Sequence, residues 1–186
     1  MNKEDPRVIR TKKMFKEALE ELLLKKDYET IQVKELCDKA GLNRRTFYLH
    51  YDSIDDILYD IQEEFAQEFY ENTKDIDHMK EPKRVIKEFF EITVRKGILY
   101  ERILTNSNFD YIREQMRNKV SDKASNNFKS IQGYDIMIRN IIAEYMHMST
   151  VAIYREWVKQ GKRIPIDEVI DIATKLVQNG LKSYVK

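Results

Sequence analysis

Residues 28–51 contain two short helical patterns joined through one glycine, and this stretch constrains the fold more than any other. Four residues recur at helical spacing and predict a short helix with one apolar face: Val33, Leu36, Cys37 and Ala40. Gly41 is expected to end this helix, because glycine enters the left-handed conformation without a steric penalty. Asn43 can then cap a second helix with its side-chain oxygen. The sequence therefore predicts a helix-turn-helix.

The second helix of this motif is too short and too polar for ordinary core. Only Phe47, together with Leu49 and Tyr51, carries apolar bulk that could anchor it. The planar guanidinium groups of Arg44 and Arg45 match guanine edges or phosphate oxygens. We therefore expect seven residues to contact DNA: Lys34, Asn43, Arg44, Arg45, Thr46, Tyr48 and His50. The alternative is a solvated helical hairpin whose arginines pair with nearby acids.

The run AGLNRRTFYLHY, followed by DSIDDILYDI, resembles the recognition-helix signature of the TetR family of bacterial transcriptional regulators. Eight residues match that pattern in place: Ala40, Gly41, Asn43, Thr46, Phe47, Tyr48, His50 and Tyr51. The resemblance covers roughly residues 7 to 70, and the remainder is similar only in being a helical domain of the expected length. It implies a dimer that pairs through the last two helices and a fourth helix that links the DNA reader to the rest.

Two positions depart from the family pattern. Gln32 stands where a serine or threonine usually caps the second helix, so Thr30 or the Gln32 side chain is expected to substitute. Ile54 stands where a phosphate-binding lysine is usual. This second departure predicts weaker contact with the DNA backbone or compensation by the N-terminal arm.

The net charge is only +1, but the charge is distributed unevenly. The chain before Glu17 carries six basic residues against Glu4 and Asp5: Lys3, Arg7, Arg10, Lys12, Lys13 and Lys16. A local basic footprint is what phosphate contact requires, so Arg7, Arg10 or Lys12 is expected to support DNA binding. The alternative is an ordinary solvated helix start.

Several classes of protein are disfavoured. No stretch approaches the roughly 20 apolar residues needed to span a bilayer, and the charged N-terminus is unlike a signal peptide, which predicts a cytoplasmic protein. The single cysteine, Cys37, excludes an intramolecular disulfide and is expected to be a buried thiol rather than a redox sensor. No zinc-like spacing, phosphate loop or nucleophile motif is found, so neither an enzyme nor a metal or cofactor is expected. An enzyme that uses His147 is the weakest alternative.

The predicted fold is all-α, with about nine helices. Residues 1–52 are expected to form a three-helix helix-turn-helix DNA-binding domain and residues 53–186 a helical ligand-binding and dimerisation domain. The first helix is predicted over 6–26, and the longest apolar stripes are predicted over 134–160 and 165–184. Residues 72–82 are interpreted as a charged connection that contains His78.

The last two predicted helices carry more apolar surface than one buried face needs. We expect them to pair with their copies in a homodimer. The expected interface residues are Ile138, Ile142, Ser149, Ala152, Ile153, Trp157, Ile170, Ala173, Leu176, Val177 and Leu181. The alternative is a thick monomeric core.

A small-molecule pocket is expected among aromatic and methionine residues of the C-terminal helices. The candidates are Tyr100, Phe109, Met116, Tyr145, His147 and Met148, and the alternative for each is plain core. The resulting hypothesis is a dimeric repressor of a palindromic operator that a small-molecule effector releases. The alternative hypothesis is a regulator with no such ligand, whose C-terminal domain docks a partner protein or co-activator.

Overall fold

The structure is a computed structural model that describes residues 5–114 and 127–184. Within these ranges the chain is helical and has no strand, which confirms the predicted all-α fold. The helices are α1 (Pro6–Leu23), α2 (Val33–Ala40), α3 (Arg44–Tyr48), α4 (Ile54–Thr73), α5 (Pro82–Arg95), α6 (Gly97–Thr105), α7 (described over 110–114), α8 (Ile136–Lys159) and α9 (Ile166–Leu181). None of them combines the length and the apolar character that a bilayer crossing requires, as far as the described residues go.

Local chemistry sets several of these boundaries. The α1 helix ends three residues earlier than predicted, because the amides of Lys25 and Lys26 both donate to the Leu22 carbonyl and tighten the last turn. The α8 helix begins at Ile136 because the Asp135 carboxylate accepts a hydrogen bond from the Met137 amide over 2.8 Å. The α5 helix begins at Pro82, since a proline suits the first turn of a helix, where its missing N–H leaves no intrahelical hydrogen bond unmade.

The chain divides into two compact units, residues 1–63 and 64–186, and the division falls inside α4. In the first unit, six apolar side chains are completely buried: Phe15, Leu19, Leu36, Phe47, Ile57 and Leu58. This core is formed by α1 to α3 and the first half of α4. Cys37 belongs to it, and burial raises the pKa of its thiol.

The core of the second unit is dominated by aromatic rings. The Phe65 ring stacks on the Tyr100 ring at 4.3 Å, and the Tyr154 ring meets the Phe90 ring edge to face at 5.0 Å. Trp157 extends this cluster at the end of α8, where its indole N–H donates to the Ile164 carbonyl over 2.9 Å. Aromatic contacts of this kind add stabilisation beyond the burial of the rings.

Candidate nucleic-acid interface

The turn between α2 and α3 has the predicted left-handed glycine. Gly41 lies at φ 67° and ψ 27°, and the Leu42 amide donates to the Cys37 carbonyl over 3.0 Å. These two features close α2 and reverse the chain within three residues. The turn sets the direction in which α3 leaves, and so the face that α3 exposes.

Asn43 caps α3, as predicted. Its side-chain oxygen accepts from the Thr46 amide at 2.8 Å and from the Thr46 hydroxyl at 3.1 Å. Both side chains therefore fix the start of α3. The Asn43 amide nitrogen and the lone pairs of the Thr46 hydroxyl are the groups that they offer to DNA.

Phe47 holds α3 against the first unit. Its ring is fully buried and meets the Phe15 ring edge to face at 5.4 Å and the Tyr51 ring at 5.8 Å. Tyr51 is buried too, but Leu49 is 73% exposed. The expectation that Leu49 helps to anchor the helix was therefore wrong. Residues two positions apart on a helix point about 200° apart, so Leu49 faces away from the core that holds Phe47.

The exposed side chains of α3 include the two arginines. Arg44, Arg45 and Tyr48 are exposed, and His50 is half-buried beside Tyr51. Neither arginine forms an ion pair with any residue in the described ranges, which disfavours the hairpin alternative. Lys34 of α2 is exposed as well and is likewise without such a pair in those ranges. Five donor-bearing side chains are therefore available to phosphates and base edges.

Other cations of this unit are held by carboxylates. Lys26 pairs with Glu35 at 2.5 Å, and Lys39 pairs with Glu21. Lys12 lies 3.2 Å and Lys16 3.9 Å from an oxygen of Asp60, which also accepts the Tyr51 hydroxyl at 2.9 Å. Of the arm residues expected to support DNA binding, Arg7 and Arg10 are exposed on α1, whereas Lys12 is occupied in this Asp60 cluster.

The structure shows the surroundings of both departures from the family pattern, at Gln32 and at Ile54. Gln32 makes no side-chain hydrogen bond at the start of α2, and the Thr30 hydroxyl donates to the Asp27 carbonyl at 2.7 Å, so the expected substitute cap was wrong. Near Ile54, the Asp56 carboxylate accepts from the backbone amides of Asp52 and Ser53 at 2.7 and 2.8 Å. That carboxylate satisfies amides ahead of α4.

The predicted ligand-binding residues lie in two different places. Tyr100 and Phe109 are buried in the second unit, and burial raises the pKa of Tyr100 well above its usual value. Tyr145, His147 and Met148 lie on the exposed side of α8. Met116 lies outside the described residues. The five described side chains are therefore not gathered into one cavity.

The predicted dimer residues also separate by burial. Six are buried within the protomer: Ile142, Trp157, Ile170, Ala173, Val177 and Leu181. Ser149 and Ile153 are half-buried, and Ile138, Ala152 and Leu176 are exposed. Only the exposed and half-buried residues have surface left to bury against another chain.

His78 is a buried polar residue that the sequence analysis placed in a charged connection. It is 4% exposed, between the rings of Phe69 and Phe128, and its Nε2 atom has no hydrogen-bond partner. Burial lowers the pKa of its imidazole to about 4. The sequence signal for the burial of His78 is the apolar pair on either side of it, since Ile76 and Met79 are both buried.

No cluster of three or more metal-binding side chains is found among the residues the structure describes.

Comparison with known proteins agrees with this geometry. Residues 17–61, which include α2 and α3, match the family model "Bacterial regulatory proteins, tetR family". No curated protein sequence matches the chain. Several solved structures share its fold, including three that match nearly the whole chain. The fatty acid degradation regulator FadR from Bacillus halodurans is 15% identical, with a TM-score of 0.71, over 97% of this chain and 98% of that one.

The other two solved structures match this chain over nearly their whole length. A TetR transcriptional regulator from Streptococcus agalactiae 2603V is 16% identical, with a TM-score of 0.66, over 92% of this chain and 95% of its own. The dihydroxyacetone kinase operon activator DhaS is 20% identical, with a TM-score of 0.62, over 95% and 98%. The matched segment is centred on the helix-turn-helix, so this part of the chain resembles the DNA-binding domain of TetR-family regulators, and the whole chain shares the fold of the three solved structures.

Proposed function

We propose that the protein is a repressor that binds a palindromic operator as a homodimer and is released by a small molecule. The observation that supports DNA binding is the exposed face of α3, on which Arg44 and Arg45 have no acidic partner in the described ranges. Two such faces, one per protomer, would enter successive major grooves about one helical turn apart. The DNA backbone would be positioned by Lys34, Asn43, Thr46, Tyr48 and His50. The protein would act in the cytoplasm, where its operator lies.

A stripe of exposed apolar residues supports the homodimer. On α8 these residues follow the alternating three- and four-residue spacing of a helix–helix seam: Ile138, Ile141, Tyr145, Met148 and Ala152. On α9, Ile172 is 41% and Leu176 54% exposed. Monomeric proteins rarely leave a continuous apolar surface of this kind, and a second copy of the two helices would cover it as a four-helix bundle.

The dimer can be tested separately from DNA binding. Leu176→Asp introduces a charge on the proposed interface without touching the protomer core, so sedimentation should give monomers. Lys175→Asp, at the exposed neighbouring position, is the matched control and should remain a dimer. A Leu176→Asp protein that sediments as a dimer would move the interface elsewhere.

The release step uses α4, which belongs to both compact units. An effector bound in the second unit can change DNA affinity only if it binds two orientations of the readers with different affinity. The buried aromatic rings of that unit, with the unpaired His78 Nε2 among them, offer an apolar setting with one hydrogen-bond acceptor. These features suit a largely apolar effector that carries one donor group.

The regulator function is tested by isolating the genomic fragments that the protein retains. We expect a common inverted repeat, protected from cleavage symmetrically and bound by two protomers. Retention that is equal for all fragments at physiological salt would contradict sequence-specific regulation, because it would report phosphate contact alone.

A regulator without a small-molecule effector is the alternative, and an open groove favours it. This groove, of about 520 Å³, is lined by Thr105, Ala152, Arg155, Glu156, Val158 and Lys159. Its charged rim suits a protein segment better than an enclosed apolar molecule. The structural relative DhaS is named an operon activator. A thermal shift with fractionated metabolites favours the effector, whereas no shift with any fraction favours the partner protein.

A further inference from the structure

Leu49 is the most exposed large apolar side chain in the part of the chain that the structure describes, at 73%. It lies in the first unit, at the end of α3. A leucine side chain left in water forgoes the free energy that its burial would release. Leu49 lies next to the proposed DNA-reading residues, so its exposed side chain is available for contact with DNA.

The backbone fixes the side of α3 on which Leu49 lies. Leu49 keeps the helical conformation, with φ −76° and ψ −19°, and its amide donates to the Arg45 carbonyl at 3.2 Å. Residues four apart on a helix are neighbours on one face, so the Leu49 side chain stands beside that of Arg45. Both lie two positions from the buried Phe47, and both therefore point away from the core.

We propose that Leu49 reads the C5-methyl group of a thymine in the operator. The major groove presents this methyl as its one apolar feature, and aliphatic side chains contact it. The groove is about 12 Å wide, and Leu49 lies only about 6 Å along the helix axis from Arg45. This proposal for Leu49 rests on the proposed operator binding, since Leu49 acts in the same interface.

The proposal also fixes a spacing within each half-site. A guanine contacted by Arg45 and the thymine contacted by Leu49 should lie within about two base pairs, because base pairs repeat every 3.4 Å along the duplex. The positive charge of Arg45 attracts the duplex, whereas the uncharged Leu49 side chain discriminates thymine from the other bases. Its contribution should therefore be independent of salt.

Thymine-to-uracil substitution tests the contact, because it removes the methyl group and leaves base pairing intact. In a duplex containing the recovered inverted repeat, each thymine of both half-sites is replaced by uracil in turn, and affinity is measured at fixed salt. At one symmetric position we expect about a fourfold loss, the value of one buried methyl group. In Leu49→Ala, that same substitution should have no effect. Affinity for the unmodified duplex should fall about 16-fold, because both protomers lose a contact worth about fourfold.

Leu24→Ala is the matched control, since Leu24 is also an exposed leucine of the first unit, at 53%. It should keep both the affinity and the uracil effect. A uracil scan without effect at any position would overturn the proposal, even if Leu49→Ala lowered affinity, because that pattern reports contact with sugar or phosphate. A uracil effect that persists in Leu49→Ala would assign the methyl to another residue.

Different results would overturn the proposed regulator function and the proposed Leu49 contact. If no fragment is retained specifically, the proposed function fails and the Leu49 contact falls with it. If specific fragments are retained but their half-sites lack a thymine within reach of the Arg45 guanine, only the Leu49 contact is overturned.

Discussion

The Tyr51 hydroxyl donates a hydrogen bond to the Asp60 carboxylate at 2.9 Å, which ties the end of the helix-turn-helix to α4. The same carboxylate lies 3.2 Å from the Lys12 ammonium and so reaches α1. One acidic group therefore holds three elements of the DNA-binding unit together. It also occupies a lysine that the sequence had assigned to the DNA-binding arm.

Asp60→Asn should destabilise the first unit by about 1 to 2 kcal/mol, because a charged hydrogen-bond acceptor is lost at a site that solvent partly screens. Urea unfolding measures this loss. Tyr51→Phe removes one hydrogen bond only, so it should cost less in the wild type than Asp60→Asn. In an Asp60→Ala background, which has no acceptor for the hydroxyl, it should cost almost nothing. Equal costs of Tyr51→Phe in both backgrounds would show that the contact contributes no stability.

Gly41→Ala should cost about 1 kcal/mol through the backbone alone. The residue has φ 67°, which strains any L side chain, but no atom lies within 4 Å of the added Cβ. Gly133→Ala is the control, because it has the same open space without a left-handed φ, and it should change stability by less than about 0.5 kcal/mol. Equal effects of the two substitutions would contradict the strain argument.

Gly180→Ala should weaken the proposed dimer more than it destabilises the protomer. A Cβ at this position of α9 would overlap the Tyr145 ring, whose flexible end must move out of its place on the exposed stripe of α8. Alanine favours the helix, so protomer stability should change little. We expect a severalfold rise in the dimer dissociation constant by sedimentation.

Gln178→Ala, on the opposite side of α9, is the control for Gly180→Ala and should leave the dimer unchanged. An unaltered dissociation constant in Gly180→Ala would place Tyr145 outside the interface.

His78 should make the protein less stable in mild acid. Burial holds its pKa at about 4, against 6.5 when exposed, although a hydrogen bond with the Thr73 backbone acts in the opposite direction. The unfolded chain therefore binds more protons than the folded one between pH 6.5 and 4, and stability falls as the pH falls through this window. The full loss, reached below pH 4, is about 3 kcal/mol.

Urea unfolding at pH 7 and pH 5 measures this loss. His78→Gln removes the titrating group, so its stability should vary less between the two pH values than that of the wild type. Identical pH dependence in His78→Gln would assign the acid sensitivity to other groups.

Local chemistry was the most predictable part of the fold. The left-handed Gly41 and the Asn43 cap depend on interactions within three residues, and both follow from residue type. The bounds of α6 were likewise predictable, because Gly97 and Asn106 interrupt the helical pattern.

Burial that depends on distant segments was less predictable. His78 is covered by Phe128 and donates its amide hydrogen to the Asn127 carbonyl at 3.1 Å, a contact across about 50 residues of sequence. In α8, apolar residues surround the whole helix, so periodicity alone did not separate buried Ile142 from exposed Ile141. Leu49 was misassigned for a related reason, since a helix of five residues has too few positions to define a face.

The most direct test of the account is a gel-shift titration of the recovered operator at fixed salt with Arg44→Ala, Arg45→Ala and Arg163→Ala. Arg163 is an exposed arginine between α8 and α9 and serves as the control for a change of one positive charge. We expect the first two variants to stay folded and to lose about 1 to 3 kcal/mol of specific binding free energy, and the third to bind as the wild type does. Unchanged affinity in both Arg44→Ala and Arg45→Ala would contradict the claim that the exposed face of α3 reads the duplex.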